Sequence, residues 1–212
     1  MVLQDRARAT REAIIAGAAK VFEEYGYGSA SLTQVSEAAA VTKGALYFHF
    51  SSKENLARAV IDEQHGIVLA DSEAILAEHH PALKTMILMC RAFGLKLVHE
   101  PVVRAGIRLT LEWSAFGHPV RGPYEDWIVV MEQLTAQAKA EGQIRDSVAP
   151  AAFGRFLVGS FTGVQMVSGV LTGRSDVMQR IEEMWSLLLP GIMHEEFRED
   201  PQALAGLISA EM

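Results

Sequence analysis

Apolar residues recur at steps of three and four along almost the whole chain, the spacing of one face of an α-helix. Alternating runs bounded by tight turns, which would mark half-buried strands, are nearly absent. The pattern predicts an all-α protein. Ile15, Ala18, Phe22 and Tyr25 form a first inward stripe, with Gly26 where a C-terminal cap belongs. Ser31 opens a second helix. With Gln34 three residues on it fits a capping box, and Leu32, Val35 and Ala39 face inward. After a short break at Ala40 and Val41, Thr42 caps a third helix over 43–50, with Leu46 and Phe50 one turn apart. Ser51 and Glu54 suggest another capping box, heading a long fourth helix that carries Leu56, Val60, Gln64 and Ile67 on one face.

Further helices are expected over 83–99, 101–116, 124–140, 149–171 and 177–194, with a short frayed one within 201–212. The clearest loops are 117–123, rich in glycine and proline, and 172–175. There is no internal repeat and no low-complexity tract.

Composition narrows the function. The chain has 212 residues, half of them hydrophobic, so it can bury a substantial core. Its net charge of −7 excludes a globally basic nucleic-acid coat. Residues 1–60 hold seven basic and six acidic side chains, a net of +1, so the remainder stands at −8. An acidic body with an arginine-tipped head (Arg6, Arg8, Arg11) directs any polyanion to the head. A single cysteine, Cys90, excludes a disulfide scaffold and a cysteine zinc site. It is expected to be buried and inert.

No apolar segment follows the polar start, so no signal peptide is expected. Residues 156–173 lack charge, but four glycines, Ser160, Thr162, Gln165, Ser168 and Thr172 make them too polar for a lone membrane span. A buried soluble helix and a cytoplasmic protein without membrane partners are expected. Catalytic signatures are missing: no G-x-S-x-G elbow, P-loop, H-E-x-x-H or dinucleotide fingerprint. His79 and His80 are adjacent, so they point apart and make a poor metal pair, and Glu195 with Glu196 reads as a solvated face. Neither an enzyme, a cofactor nor a metal is expected.

Two short capped helices joined by a three- or four-residue turn, braced by a preceding helix, have the geometry of a helix-turn-helix. The second helix of such a unit lies in the DNA major groove. Lys43 offers a charge to phosphate or guanine, and Gly44 allows close backbone approach. Tyr47 and His49 can donate to phosphate oxygens. Ser31 and Thr33 stand at the start of the preceding helix, where free N–H groups favour phosphate. The plainer alternative is an ordinary helical core in which Tyr47 and Phe50 simply pack.

The residues Val41-Thr42-Lys43-Gly44-Ala45-Leu46-Tyr47-Phe48-His49-Phe50, followed by Ser52-Lys53-Glu54-Asn55-Leu56, closely resemble the TetR family of bacterial repressors; the motif spans 10–56. Ala40 departs from it, standing where the family usually has a turn glycine. The resemblance implies a DNA-binding head over 1–52 and a helical body for ligand binding and dimerisation over 53–212. It also implies a homodimer that reads a near-palindromic double-stranded operator. On it, Thr42, Lys43, Gly44, Tyr47 and His49 contact DNA and Lys53 touches phosphate, while Phe48 either packs internally or meets a thymine methyl. The last two long helices would form the dimer face. Gly159 and Gly163 would allow close approach, with Met184, Trp185, Leu188 and Leu189 as contacts.

Polar residues inside apolar stripes are the next signal. Gln64 holds a core position on the fourth helix, and Thr162 and Gln165 share a face. They bond each other or the backbone, or else they are the convergent polar groups of a small-molecule pocket. Ile107, Trp113, Trp127, Val130, Met131 and Phe161 are candidate walls for that pocket, although each aromatic taken singly fits a core as well.

A narrower resemblance comes from Pro101-Val102-Val103-Arg104-Ala105-Gly106-Ile107-Arg108-Leu109, Trp127 and Glu183-Met184-Trp185. These look like the γ-butyrolactone receptor branch, whose members sense diffusible lactone or butenolide signals and repress antibiotic-related genes. Trp127 matches that branch's pocket tryptophan. The implied mechanism is a ligand-gated repressor whose two recognition helices sit roughly 34 Å, one DNA turn, or a modest multiple apart. The fourth helix would carry the signal. Rival readings are a TetR-type repressor for drugs or fatty-acyl compounds, an all-α enzyme that keeps a helix-turn-helix head, and a constitutive DNA-architectural protein.

Overall fold

The computed structural model describes residues 2–115 and 119–210. Among these are ten helices and no strand. In chain order they are α1 (Val2–Ser29), α2 (Leu32–Ala38), α3 (Lys43–His49), α4 (Lys53–Ala77), α5 (Ala82–His99), α6 (Pro101–Ala115), α7 (Gly122–Ala140), α8 (Pro150–Thr172), α9 (Val177–Ile192) and α10 (Pro201–Gly206). The all-α expectation is met. The expected loop over 117–123 lies partly outside the described residues, and α7 starts inside it at Gly122.

The chain forms two compact units. The first comprises Met1–Leu69 with His99–Val120, and the second Ala70–Val98 with Arg121–Met212. The chain passes from one to the other within α4, after Leu69.

In the first unit, Ile14, Ala18, Phe22, Val35, Leu46, Phe50, Leu56, Val60, Leu109 and Trp113 share one core. It joins α1, α2, α3, α4 and α6. The Ser31 capping box is present: Ser31 Oγ accepts from the Gln34 N–H at 3.3 Å, and the Ser31 N–H donates to Gln34 Oε1 at 2.9 Å. Thr42 Oγ1 accepts from the Ala45 N–H at 3.1 Å.

Two local expectations are corrected. The α4 cap is Ser52, whose Oγ accepts from the Asn55 N–H at 3.1 Å. α4 begins at Lys53, one residue later than a Ser51–Glu54 box requires, and Ser51 Oγ instead accepts from Asn55 Nδ2 at 2.7 Å. Tyr25 is exposed, because the row through Phe22 continues four residues on at Gly26. Gly26 has φ +72° and interrupts α1, and a Cβ there would meet Arg108 Nη2 at 2.7 Å. Ala40 at the α2–α3 turn sits at φ +52°, where a non-glycine residue carries about 1–2 kcal/mol of strain.

The second unit buries Met86, Ile87, Cys90, Leu97, Met131, Leu157, Phe161, Ile181, Trp185 and Leu189. The start of α5 is capped from the exit of α7. Glu141 Oε2 accepts from the Ala82 N–H at 3.0 Å, and Gln143 Oε1 from the Leu83 N–H at 2.9 Å. An isolated bridge pairs Ile144 with Met193. Among the described residues no helix is long and apolar enough to cross a membrane.

The α8–α9 turn is held by one carboxylate. Asp176 Oδ1 accepts from Ser168 Oγ at 2.6 Å and Thr172 Oγ1 at 2.7 Å, and Oδ2 accepts from Arg180 Nε at 2.8 Å. The hydroxyl of Ser168, then that of Thr172, then Arg180 lower its pKa from 3.8 to about 2. A carboxyl depressed in the folded state stabilises the fold above its unfolded pKa and loses that contribution as pH falls through the folded value. Asp176→Asn is therefore expected to lower Tm at pH 7. The gap to the wild-type protein should narrow as pH drops from about 4 towards 2, read by thermal unfolding across pH. A gap independent of pH would contradict this role.

Candidate functional site

The helix-turn-helix is complete in the first unit. α3 turns Leu46 into the core and is followed by buried Phe50, over whose ring the Arg11 guanidinium lies 5.5 Å from the centroid. Its opposite face presents Lys43, Gly44, Tyr47 and Phe48 outward. Tyr47 does not pack in the core, and Phe48 is 83% exposed, so its internal-packing alternative falls away. His49 is half-buried, its ring edge-on to Phe48 with centroids 5.2 Å apart. Ser31, Thr33 and Thr42 are exposed at the starts of α2 and α3. The Ser31 and Thr42 hydroxyls already accept from backbone N–H groups, as described above.

Lys53 opens α4, as expected, and its ammonium is already engaged within the fold. Its Nζ donates to the carbonyls of Tyr27 at 2.7 Å, Ala30 at 3.0 Å and Gly28 at 3.3 Å, and stands 4.7 Å from the Tyr27 ring centroid. Three N–H donors meet three carbonyls. The ammonium thus caps the C-terminal end of α1.

The same end of α1 is gripped from α6, by residues that sequence reasoning missed. Arg104 pairs with the Glu23 carboxylate. Arg108 Nη1 donates to the Glu23 carbonyl at 2.5 Å and Nε to Glu112 Oε1 at 2.6 Å. Glu112 Oε2 accepts from the Tyr27 N–H at 2.8 Å. The four-residue spacing of Arg104, Arg108 and Glu112 was visible on one helix face; their partners, more than eighty residues away, were not.

The nine candidate ligand residues divide between the units. Gln64, Ile107 and Trp113 belong to the first, where all three are buried. The Gln64 side chain fills the place a Gly106 Cβ would take, so α4 and α6 meet there without room for a methyl. Trp113 packs with Tyr27, centroids 6.0 Å apart, under the Arg58 guanidinium. Trp127, Val130, Met131, Phe161, Thr162 and Gln165 belong to the second. There Trp127, Phe161 and Phe93, the last not anticipated, form a mutually packed triad with centroids 5.0–5.1 Å apart. Val130 is half-buried and Met131 fully buried.

Thr162 Oγ1 donates back to the Val158 carbonyl at 2.8 Å. Burial pushes the neighbouring Tyr124 phenol up. Gln165, one turn beyond Phe161, is 2% exposed, and its Oε1 has no hydrogen-bond partner. Such an orphan costs on the order of 1–3 kcal/mol.

The residues expected at a dimer face separate as well. Met184, Trp185 and Leu189 are covered by the unit's own atoms, because α9 turns them inward with Ile181; Leu188 is half-buried. Gly159 and Gly163 are exposed, with no other atom within 4 Å of a would-be Cβ. Around them α8 offers Phe156, Met166, Val167 and Val170 outward at helical spacing, and α9 offers Leu187. Val170 is 84% and Leu187 82% exposed.

Chemistry is sparse elsewhere. Burial pushes the Cys90 thiol up to about 12, so it stays protonated and unreactive. His80 Nε2 lies 2.7 Å from Glu78 Oε2, and no group of three potential ligands among the described residues could hold a metal. An open cleft of about 570 Å³ lies beside His79, His80, Glu141 and Gln143, two of which already cap α5.

Comparison with known proteins agrees with this geometry. Residues 14–60 match the family described as bacterial regulatory proteins, tetR family, and residues 80–194 match the tetracyclin repressor-like C-terminal domain. The A-factor receptor protein of Streptomyces griseus is 37% identical over 194 residues, covering 92% of this chain and 67% of that protein. The crystal structure of a γ-butyrolactone receptor, an ArpA-like protein, superposes with a TM-score of 0.81 at 29% identity, covering 96% of this chain and 98% of that one. CprB from Streptomyces coelicolor in complex with its biological operator sequence gives the same TM-score, identity and coverage.

Gly44 isolates the contribution of the α3 face. Its φ is not positive, and the only atom near its would-be Cβ is Thr42 Oγ1 at 3.9 Å. Nothing in the fold requires glycine there, and alanine is favoured in helices by up to about 1 kcal/mol. Gly44→Ala is expected to leave Tm unchanged or raise it. Affinity for DNA selected from a random library should fall about tenfold, roughly 1.4 kcal/mol, by titration at fixed salt. Undiminished affinity would remove close backbone approach from the account.

Proposed function

This chain belongs to the TetR family of bacterial regulatory proteins, whose matched members are transcriptional regulators, and we propose that it is a lactone-responsive repressor of antibiotic genes. It binds a palindromic operator as a homodimer in the cytoplasm and is released by a small γ-butyrolactone or butenolide. One observation carries the reading. A braced helix-turn-helix holds outward an α3 face that the fold does not use, in a chain 37% identical to the A-factor receptor over 92% of its length. Supporting it is a similar structure, 37% identical with a TM-score of 0.79, described as the molecular basis for control of antibiotic production by bacterial hormones.

The head, 1–52, meets DNA through Thr42, Lys43, Gly44, Tyr47 and His49. The body, 53–212, binds ligand and dimerises. The Trp127–Phe161–Phe93 triad suits the alkyl part of a lactone. The unpaired Gln165 Oε1 suits a donor such as a hydroxyl, since a ligand O–H there relieves a buried orphan. Lactone shifts the operator-binding equilibrium only through its differential affinity for the two states. A second copy of the chain covers the outward α8–α9 face, with Gly159 and Gly163 letting two helices approach closely.

Two experiments test this. Trp127→Ala is expected to keep operator affinity within about twofold while raising the lactone concentration needed for release tenfold or more, about 1.4 kcal/mol. Tyr47→Ala should do the reverse in the same gel-shift titration. Equal loss of both responses in both variants would overturn the assignment. Val170→Asp places a charge on the α8 face and is expected to give a monomer by sedimentation, with far-ultraviolet helicity retained and operator affinity lost. A dimer that survives it would move the interface elsewhere.

A further inference from the structure

We propose that Lys53 serves operator binding as a positioning residue: its ammonium staples the chain entering the helix-turn-helix to the chain leaving it, and touches no phosphate. The proposal rests on the repressor reading and replaces the phosphate contact that the family resemblance implies for this residue. The motif is entered at Ala30 and Ser31, just before α2, and left through Phe50, Ser51 and Ser52, just after α3. Lys53 stands first in α4, and its Nζ donates at 3.0 Å to the Ala30 carbonyl, 23 residues back. Tyr27 and Gly28 supply two further carbonyls, at 2.7 and 3.3 Å. α2, the turn and α3 thus lie between two points that one ammonium holds together.

The donor count separates the two roles. An ammonium has three N–H groups and no more. Three carbonyls take all of them, and the Tyr27 ring, its centroid 4.7 Å from Nζ, covers a further side. A phosphate oxygen gains a donor only by displacing one of these carbonyls, two of which are part-buried. Leu46 and Phe50 anchor α3 in the core whether or not the staple is present, so its removal is expected to loosen the aim of α3 without unfolding it. Arginine distinguishes the roles further. A guanidinium keeps the charge and serves phosphate at least as well as an ammonium, but its rigid planar fork cannot converge on three carbonyls.

The test uses the full chain and an operator selected from a random duplex library. The wild type is treated with an amine-acetylating reagent, free and operator-bound, and the Lys53 peptide is followed by mass spectrometry. Lys53 should react slowly in both states, against the exposed Lys43 of the free protein as the reactive reference. Operator affinity is then measured across a salt series for the wild type, Lys53→Met and Lys53→Arg, at a temperature where far-ultraviolet helicity is retained. Both variants should bind about tenfold more weakly at every salt concentration, with the slope of log affinity on log salt unchanged. A phosphate contact behaves otherwise: Lys53→Met makes the slope shallower by about 0.9 for each phosphate lost, and Lys53→Arg binds as the wild type does. A slope that holds while arginine fails to rescue is a result that a merely structural role, read by Tm, would not report. A free Lys53 that reacts readily and is protected by DNA, a shallower slope, full rescue by arginine, or undiminished affinity in Lys53→Met overturns the proposal and leaves the repressor reading intact. If neither variant folds, the reactivity of the wild type decides by itself. Failure to enrich any sequence overturns the repressor reading and this proposal with it.

Discussion

The first unit depends on how the end of α1 is held. Gly26 at φ +72° interrupts α1, and an interrupted helix leaves backbone carbonyls and N–H groups without partners. Three side chains from two other helices supply them. Lys53 from the start of α4 takes the carbonyls of Tyr27, Gly28 and Ala30; Arg108 from α6 takes that of Glu23; Glu112 takes the Tyr27 N–H. All of these bonds are charge-assisted, the stronger kind. They determine the direction in which the chain leaves α1, and therefore where α2 and α3 stand on the core. The recognition face is aimed by a cap outside the helix-turn-helix.

That arrangement makes α6 a plank with two working surfaces. Arg104, Arg108 and Glu112 clamp α1, while Gly106 lies against Gln64 of α4 with no space for a methyl. A contact that tight resists small adjustments, because packed interiors shift between discrete arrangements rather than deforming smoothly. A displacement of α4 at Gln64 therefore acts on α6, and through α6 on the end of α1. The chain leaves the first unit along α4, beyond Leu69, and enters the second unit, whose residues include those proposed to bind ligand. On the proposed reading, this is the material path for a signal to the head.

Much of this was legible in the sequence and some could not be. The helices, the Ser31 box and the Thr42 cap follow from local spacing, which is complete within a few residues. The role of Lys53 was not legible, because its partners lie 23–26 residues back and became available only where α1 broke. Periodicity placed Tyr25 inward for the same reason: a stripe extrapolates past a glycine that turns the chain. The family resemblance placed Met184, Trp185, Leu188 and Leu189 at a dimer face, whereas Met184, Trp185 and Leu189 are buried within their own subunit. A buried stripe reads alike whether its neighbour is the same subunit or another. Periodicity alone did not separate Trp113 from Trp127, yet one joins the core around Tyr27 and the other the triad with Phe93 and Phe161.

Four positions that fold against local preference lie at the proposed sites. Ala40 is held at a positive φ, Gly44 occupies a helix with only Thr42 Oγ1 near its would-be Cβ, Phe48 stands exposed, and Gln165 keeps an unpaired oxygen in the core. Each has an obvious relief that the sequence does not take: glycine at 40, alanine at 44, a polar residue at 48, leucine at 165. A sequence selected for folding alone would agree with itself at every level, and disagreements concentrate where something outside the fold is accommodated. Three of the four lie in or beside the helix-turn-helix, and the fourth follows the aromatic triad by one turn. The cause proposed for Gly44 is a DNA surface that needs bare backbone, and for Gln165 a ligand that brings its own donor.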